Sequence, residues 1–557
     1  MKRFKLFTVM LVCVSLLSSC AETKHLISGS IDVSASISQS IPDSEETYIE
    51  TDKSSSENSL ESSSQSSDKE SSSLKEEAKP DQSSKTEKKQ ENSSSSDKKD
   101  NEKEEISASS EESKNDNLNS SESNASSTEK NPSPKPTFKK RKLIKYDFSE
   151  DDRELLPIEV LLRDNINNNS SESIPENPPV DEEIHSVSAD DEMRAVWISY
   201  LDFYGLLQEK SENEFRRNIK SAFSKISNMG LNTVIVQVRP YSDALYYSDI
   251  FPMSYVVNGE NKESLDPGFD PLEIMVNYAH DYNLKIEAWI NPYRIRNANS
   301  KSEVSKENPA YSWIQNGDDA VLKYNGGYSY NPASKKAQKL IIKGVEEIVR
   351  NYDVDGIHFD DYFYPSTDMS IDEKSYNDYL KNGGILSQAD FRRKNVNDLV
   401  KNVYRAIKNI NPSVTFGISP QGNNSRNYNE QFADVDLWLS QSGYVDYICP
   451  QIYFGFNHSD CPFESTLKLW NSKITAQNVK LYVGISCYKV GIEDKWAGEG
   501  KNEWISSKNM MKRMVNTSRN CSNYGGFFLY RYDSLFNPAP QVKNHMEAEI
   551  SNLKSIL

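Results

Sequence analysis

Two adjacent aspartates, Asp360 and Asp361, follow an apolar run in Val354–Pro365, "VDGIHFDDYFYP". A carboxyl that keeps its proton near neutral pH can protonate a leaving oxygen, and a second group can stabilise the positive charge that develops. Burial and the repulsion of a like charge both raise a carboxyl pKa, so a paired Asp in an aromatic frame suits that task. The same pair has structural alternatives: capping a helix, binding Arg239 or holding a loop.

Strand parity decides which way such groups point, since successive side chains alternate between faces. In "VDGIHFDDY" Ile357 and Phe359 form the apolar face, leaving Gly356, His358, Asp360 and Tyr362 opposite. Asp361 has the other parity unless the strand has already ended. In "TVIVQVRP" the apolar set Val234, Val236 and Val238 leaves Gln237 and Arg239 on the second face, with Tyr241 just beyond. In "KIEAWINPY" Ile286, Ala288 and Ile290 leave Glu287, Trp289 and Asn291, and Arg294 follows. In "YICPQIYF" Ile448 and Ile452 leave Gln451 and Tyr453. Gln421, Tyr488, Tyr530 and Tyr532 fall at the ends of later runs. Carboxylates, amides, an arginine, Trp and Tyr gathered at one mouth suit a sugar, whose C–H faces stack on rings and whose hydroxyls take polar contacts.

The elements that must gather them alternate regularly. Eight β-rich runs (193–203, 232–240, 285–293, 354–362, 413–421, 445–454, 480–490 and 526–533) are separated by helical patterns. Phe215, Ile219, Ala222, Phe223, Ile226 and Met229 follow the helical period. Ser211 and Glu214 form a capping box before them, and Gly230 supplies a stop. Asp270 with Pro271 opens another helix. This pattern predicts a (β/α)8 TIM barrel over residues 192–557 with its chemistry at the C-terminal ends of the strands. A doubly wound sheet is the runner-up, but its Gly-rich phosphate turn is missing.

Ahead of the barrel the composition changes. A basic "MKRFK" and a short apolar core end in "LSSC", which reads as a lipoprotein signal peptide over 1–20 with Cys20 as the lipidated residue. More than one acyl chain would hold the protein at the outer face of the cell membrane. Residues 21–191 are mostly Ser, Lys, Glu, Asp and Asn and predict a disordered tether, with a short helix near 151–164. A flexible chain of about a hundred residues spans several nanometres. The formal charge of −18 argues against a nucleic-acid partner. No Cys–His zinc spacing, nucleophile elbow or other cofactor motif is found, so neither metal nor cofactor is expected. Cys449, Cys461, Cys487 and Cys521 could pair outside the cytoplasm or stay as buried thiols.

Residues 194–536 resemble the bacterial glycosyl-hydrolase-like family 10. The stretches that carry the resemblance are "RAVWISY", "NTVIVQVRPYSDALYYSDIFP", "DPGFDPLEIMVNYAH", "EAWINPYR", "VDGIHFDDYFYP", "GISPQG" and "PQIYF". More distantly, "VDGIHFDDYFYP" is similar to the fourth-strand motif of glycoside hydrolase family 18 chitinases. Asp355, Gly356 and Asp360 match, while Tyr362 stands where those enzymes have the proton-donating glutamate. "VDYICPQIYF" is similar to their sixth strand, with Tyr453 on the tyrosine that supports an N-acetyl group. The resemblance implies a glycosidase acting on cell-wall glycan of the peptidoglycan type. Asp360 would then stabilise or attack the anomeric centre, or orient an N-acetyl group, and Asp361 or Glu287 would be the acid. Some relatives have His in place of Glu287. The alternative functions are a carbohydrate-binding barrel without catalysis and a cell-surface interaction protein.

Overall fold

The computed structural model describes residues 191–259, 265–298, 300 and 303–557. The expected signal peptide with Cys20, the expected helix near 151–164 and the expected tether all fall before residue 191, outside the described residues.

Eight parallel strands close into a barrel: β1 (Met193–Ile198), β2 (Thr233–Arg239), β3 (Lys285–Ile290), β4 (Gly356–Phe359), β5 (Thr415–Ile418), β6 (Tyr447–Ile448), β7 (Lys480–Ser486) and β8 (Tyr524–Tyr530). Each strand neighbours the next in sequence, and β8 pairs with β1. A helix follows each strand before the next: α1 (Glu212–Met229), α2 (Pro271–Asp281), α3 (Lys335–Asn351), α4 (Gln388–Ile410), α5 (Val435–Ser440), α6 (Phe463–Lys473), α7 (Met510–Ser518) and α8 (Lys543–Lys554). The fold is a (β/α)8 barrel.

Local chemistry sets the helix ends. Ser211 and Glu214 exchange side-chain-to-backbone hydrogen bonds at the start of α1, and Gly230 ends it with φ +93°. That left-handed turn costs a glycine little. Asp270 accepts from the Leu272 and Glu273 backbone N–H groups, with Pro271 as the first residue of α2.

The barrel has two apolar compartments. Val234, Val236, Val238, Ile286, Ala288, Ile290, Ile357, Phe359, Ile448 and Ile452 belong to the large core between strands and helices. Met193, Ala195, Trp197, Ile235, Trp289, Tyr447, Cys449 and Phe528 form a separate cluster inside the barrel. Small residues make room for those rings. A Cβ on Gly417 of β5 would fall inside the Tyr447 ring, and one on Gly356 of β4 would meet Glu287 and Thr415. Alternating large and small inward residues lets a barrel interior fill without voids.

One expectation needs correction, and one open alternative is decided. Arg239 does not face the barrel interior. The β2–β3 register shifts after Gln237, which lies opposite Trp289, so that Arg239 stands opposite Ile290 on the outer face. One extra residue in a strand reverses every later side chain. The buried Arg239 guanidinium lies over the Phe251 ring at 3.8 Å and packs against α3 at Gly344, where a Cβ would collide with it. Cys449 and Cys487 cannot pair: Cys449 belongs to the cluster inside the barrel, whereas Cys487 lies in the outer core beside Met511. All four cysteines of the barrel are free thiols.

Candidate active site

The C-terminal ends of β1 to β4 carry a hydrogen-bond chain whose polarity is fixed from its first link. The Tyr200 backbone N–H, just past β1, donates to Gln237 Oε1 at 2.8 Å. A backbone N–H can only donate, so the other end of the amide is Nε2. Gln237 Nε2 donates to Asn291 Oδ1 at 2.7 Å, and Asn291 Nδ2 donates to Asp360 Oδ2 at 2.5 Å. Trp289 Nε1 donates to the same oxygen at 3.1 Å. Both lone pairs of Oδ2 are thereby used. A proton on Asp360 must sit on Oδ1, where the Tyr362 N–H approaches at 3.3 Å.

Such a proton is favoured. Asp360 is only 4% exposed. Burial pushes its pKa well above the usual carboxylate range, the charge of Asp361 adds to the rise, and the Arg294 guanidinium opposes it. Asp361 follows the end of β4, so the parity rule no longer governs it. It is half-buried, and its Oδ1 accepts from Gln451 Nε2 at 3.1 Å. The same Gln451 nitrogen donates to the Ser419 carbonyl at 3.0 Å, tying the ends of β5 and β6 to the pair.

Arg294 closes one side. Its guanidinium lies 4.6 Å from the ring centres of both Tyr241 and Tyr362, and Nη2 donates to the Tyr241 hydroxyl at 3.1 Å. Three antiparallel segments (Arg294–Arg296, Val321–Tyr324 and Gly327–Tyr330) brace this wall within the β3–α3 connection. Across the barrel, the Tyr453 and Tyr530 rings stack at 5.7 Å, Tyr488 meets both edge-on, and Trp197 meets Tyr530 edge-on at 5.8 Å. Gln421 bridges to Gln451 along the backbone at the β5–β6 edge.

His358 and Glu287 face inward but lie deeper. Register places Trp289 beside His358, and Glu287 one inward position below, beside Gly356. A second directed chain runs here. Trp197 Nε1 donates to His358 Nε2 at 3.2 Å, so the neutral ring carries its proton on Nδ1, 2.8 Å from the Tyr447 hydroxyl. Tyr447 donates to Glu287 Oε2, and Thr415 Oγ1 donates to Glu287 Oε1 at 3.0 Å. Burial lowers the His358 pKa to about 3, so the ring stays neutral. Burial raises the Glu287 pKa to about 7, against the lowering effect of Tyr447 and Thr415.

Glu287 is fully buried, and the structure does not bring it to the mouth with Asp360. Its pKa is raised in the folded state, so its contribution to stability is fully present below about pH 4.5 and declines as pH rises toward 7. Glu287→Gln can keep the bonds to Tyr447 and Thr415 without a charge. The variant therefore loses this decline, gaining about 3 kcal/mol over the parent at pH 8 relative to pH 4. Urea unfolding at several pH values checks this.

The sequence reading missed Tyr447 and Trp197. Both were open to the same parity argument: Tyr447 is inward with Gln451 and Tyr453, and Trp197 lies on the inner face of β1. Tyr532 is buried in the outer core rather than at the rim, because the chain enters a short helix there.

The glycosyl hydrolase-like 10 family model matches residues 192–499. Glycosyl hydrolase YngK of Bacillus subtilis (strain 168) is 35% identical over 326 residues, 55% of this chain and 62% of that protein. This chain thus spans less than two thirds of the length of that relative. Glycosyl hydrolase DigH of Escherichia coli (strain K12) is 34% identical over 341 residues, 57% of this chain and 75% of that protein. Among solved structures, the glycoside hydrolase domain of PgaB (BpsB) from Bordetella bronchiseptica gives a TM-score of 0.43 at 11% identity, covering 64% of this chain and 99% of that one. With its family match running from the start of β1 into the connection after β7, the chain belongs to the glycosyl hydrolase-like 10 family.

Proposed function

We propose that this protein is a glycosidase that cleaves N-acetylated cell-wall glycan of the peptidoglycan type, exported and held at the membrane by lipid on Cys20. The observation that carries the reading is the Asp360–Asp361 pair at the end of β4, anchored by amides and faced by Arg294 and a tyrosine wall. Membership of a glycosyl hydrolase-like family supports it. The "LSSC" motif and the long Ser-rich segment support export and tethering.

The roles follow from where the proton rests. Asp360, rather than Asp361 or Glu287, is the acid: its Oδ1 proton goes to the glycosidic oxygen as the bond from the anomeric carbon breaks toward that oxygen. Asp361 faces the oxocarbenium-like charge as the second carboxyl group. Water then adds to the anomeric carbon and its proton returns to Asp360. Gln237, Asn291 and Trp289 position Asp360. Arg294, Tyr241, Tyr362, Gln421, Gln451, Tyr453, Tyr488 and Tyr530 bind sugar, and His358 supports them from below.

The test incubates the full-length protein with peptide-free peptidoglycan glycan strands and reads products by mass spectrometry, with the anomeric configuration followed by NMR. Shortened strands with new reducing ends are expected. Binding without cleavage would instead make the barrel a lectin-like protein, and neither would leave a surface interaction role.

A further inference from the structure

The chain has seven tryptophans. Six are buried: Trp197, Trp289, Trp313, Trp438, Trp470 and Trp504. Trp496 is 82% exposed. An indole is large and mostly apolar, so leaving one in water forgoes a sizeable burial gain. It lies in the connection between β7 and α7, on the C-terminal face where the aspartates lie.

Its backbone is held in place. Lys489 Nζ donates to the Tyr453 carbonyl and to Asp494 Oδ2, both at 2.7 Å, and Asp494 Oδ1 accepts from the Trp496 N–H at 3.4 Å. Asp494 is itself buried. A short polar chain thus links Trp496 to Tyr453, whose ring belongs to the tyrosine wall. The next residue is pinned too: the Ala497 carbonyl accepts from the Ser459 N–H, joining this connection to the one after β6.

The surroundings say what the ring can bind. Glu493, Lys495 and Glu499 beside it are exposed. A protein hot spot or a membrane anchor would place further apolar side chains around the ring. An exposed aromatic face with charged residues on either side of it in the chain fits instead a pyranose, which offers an apolar C–H face and polar edges.

We propose that Trp496 is a stacking platform, outside the aspartate mouth, for a further sugar ring of the same glycan chain. The inference rests on the glycan reading above and adds a residue that selects long strands. It gives the enzyme a preference for chain length that the mouth alone does not supply.

The test uses full-length Asp360→Asn protein, which binds without cutting, alone and combined with Trp496→Ala or Trp496→Phe. Peptide-free glycan strands of graded length are the probe. As the one exposed indole, Trp496 is the fluorophore that iodide reaches, and bound long strands shield it. Trp496→Ala weakens binding of long strands by roughly fivefold, as expected for one stacked ring pair. The loss shrinks as the strands shorten, and Trp496→Phe recovers most of it. Equal affinity of Trp496→Ala and its parent for long strands, or iodide quenching unaffected by them, overturns the platform and leaves the glycosidase reading intact. Length-dependent binding by protein with Asp360 intact, without any cleavage, supports the platform and overturns the glycosidase reading. No binding of strands of any length overturns both.

Discussion

Replacing Asp360 with Asn lowers kcat on peptide-free glycan strands by about a thousandfold or more, at the upper end of what one general acid contributes. Folding and sugar affinity change little. Asparagine has the same shape, and its carbonyl oxygen can take the place of Oδ2, accepting from Asn291 and Trp289. It has no acidic proton to deliver from the Oδ1 position. It also removes a buried group that sits beside the charge of Asp361, so thermal stability holds or rises. The loss therefore falls in kcat rather than KM, as for an interaction made only in the transition state. The pH profile has a defined sign. The acid works while protonated, so wild-type activity declines as pH rises through the elevated Asp360 pKa, well above the usual carboxylate range. A variant that folds, binds and still turns over at the parental rate would falsify the assignment.

The eight strands were legible because each pairs an apolar outer face with a mixed inner one, and the helices announce themselves through period and caps. Parity also brought Gln237, Asn291, Trp289 and Asp360 to one face, and they form one hydrogen-bonded group. Three things were not legible. Arg239 escaped because the register shift after Gln237 inserts a residue without any change in the apolar pattern of "TVIVQVRP". The depth of Glu287 escaped because parity gives a face but not a height. Height depends on the stagger between neighbouring strands, which is set by closure of the whole barrel. The segments 294–296, 321–324 and 327–330 escaped because they are short and irregular and sit in a connection that the βα rhythm treats as loop.

Height also explains why the deeper layer matters to stability more than to chemistry, and Gly417→Ala tests this directly. Gly417 lies opposite Tyr447 across the β5–β6 pair, and a methyl there must displace the Tyr447 ring. The ring cannot retreat easily, because Tyr482 at 4.7 Å and Phe528 at 5.8 Å pack against it. Moving it withdraws the hydroxyl from both His358 and Glu287, leaving two buried polar groups short of a partner. Overpacking and the unpaired groups together cost about 3–5 kcal/mol. Urea unfolding at pH 7 reads this loss as a lower midpoint at constant slope. Tyr447→Phe separates the two causes: it keeps the ring and removes only the hydroxyl, and it costs about 1–3 kcal/mol. The order Gly417→Ala below Tyr447→Phe below parent is the expected result. If the alanine variant matches its parent, the interior is looser than its contacts imply, and the directed chain from Trp197 to Glu287 does not hold the barrel's lower half together.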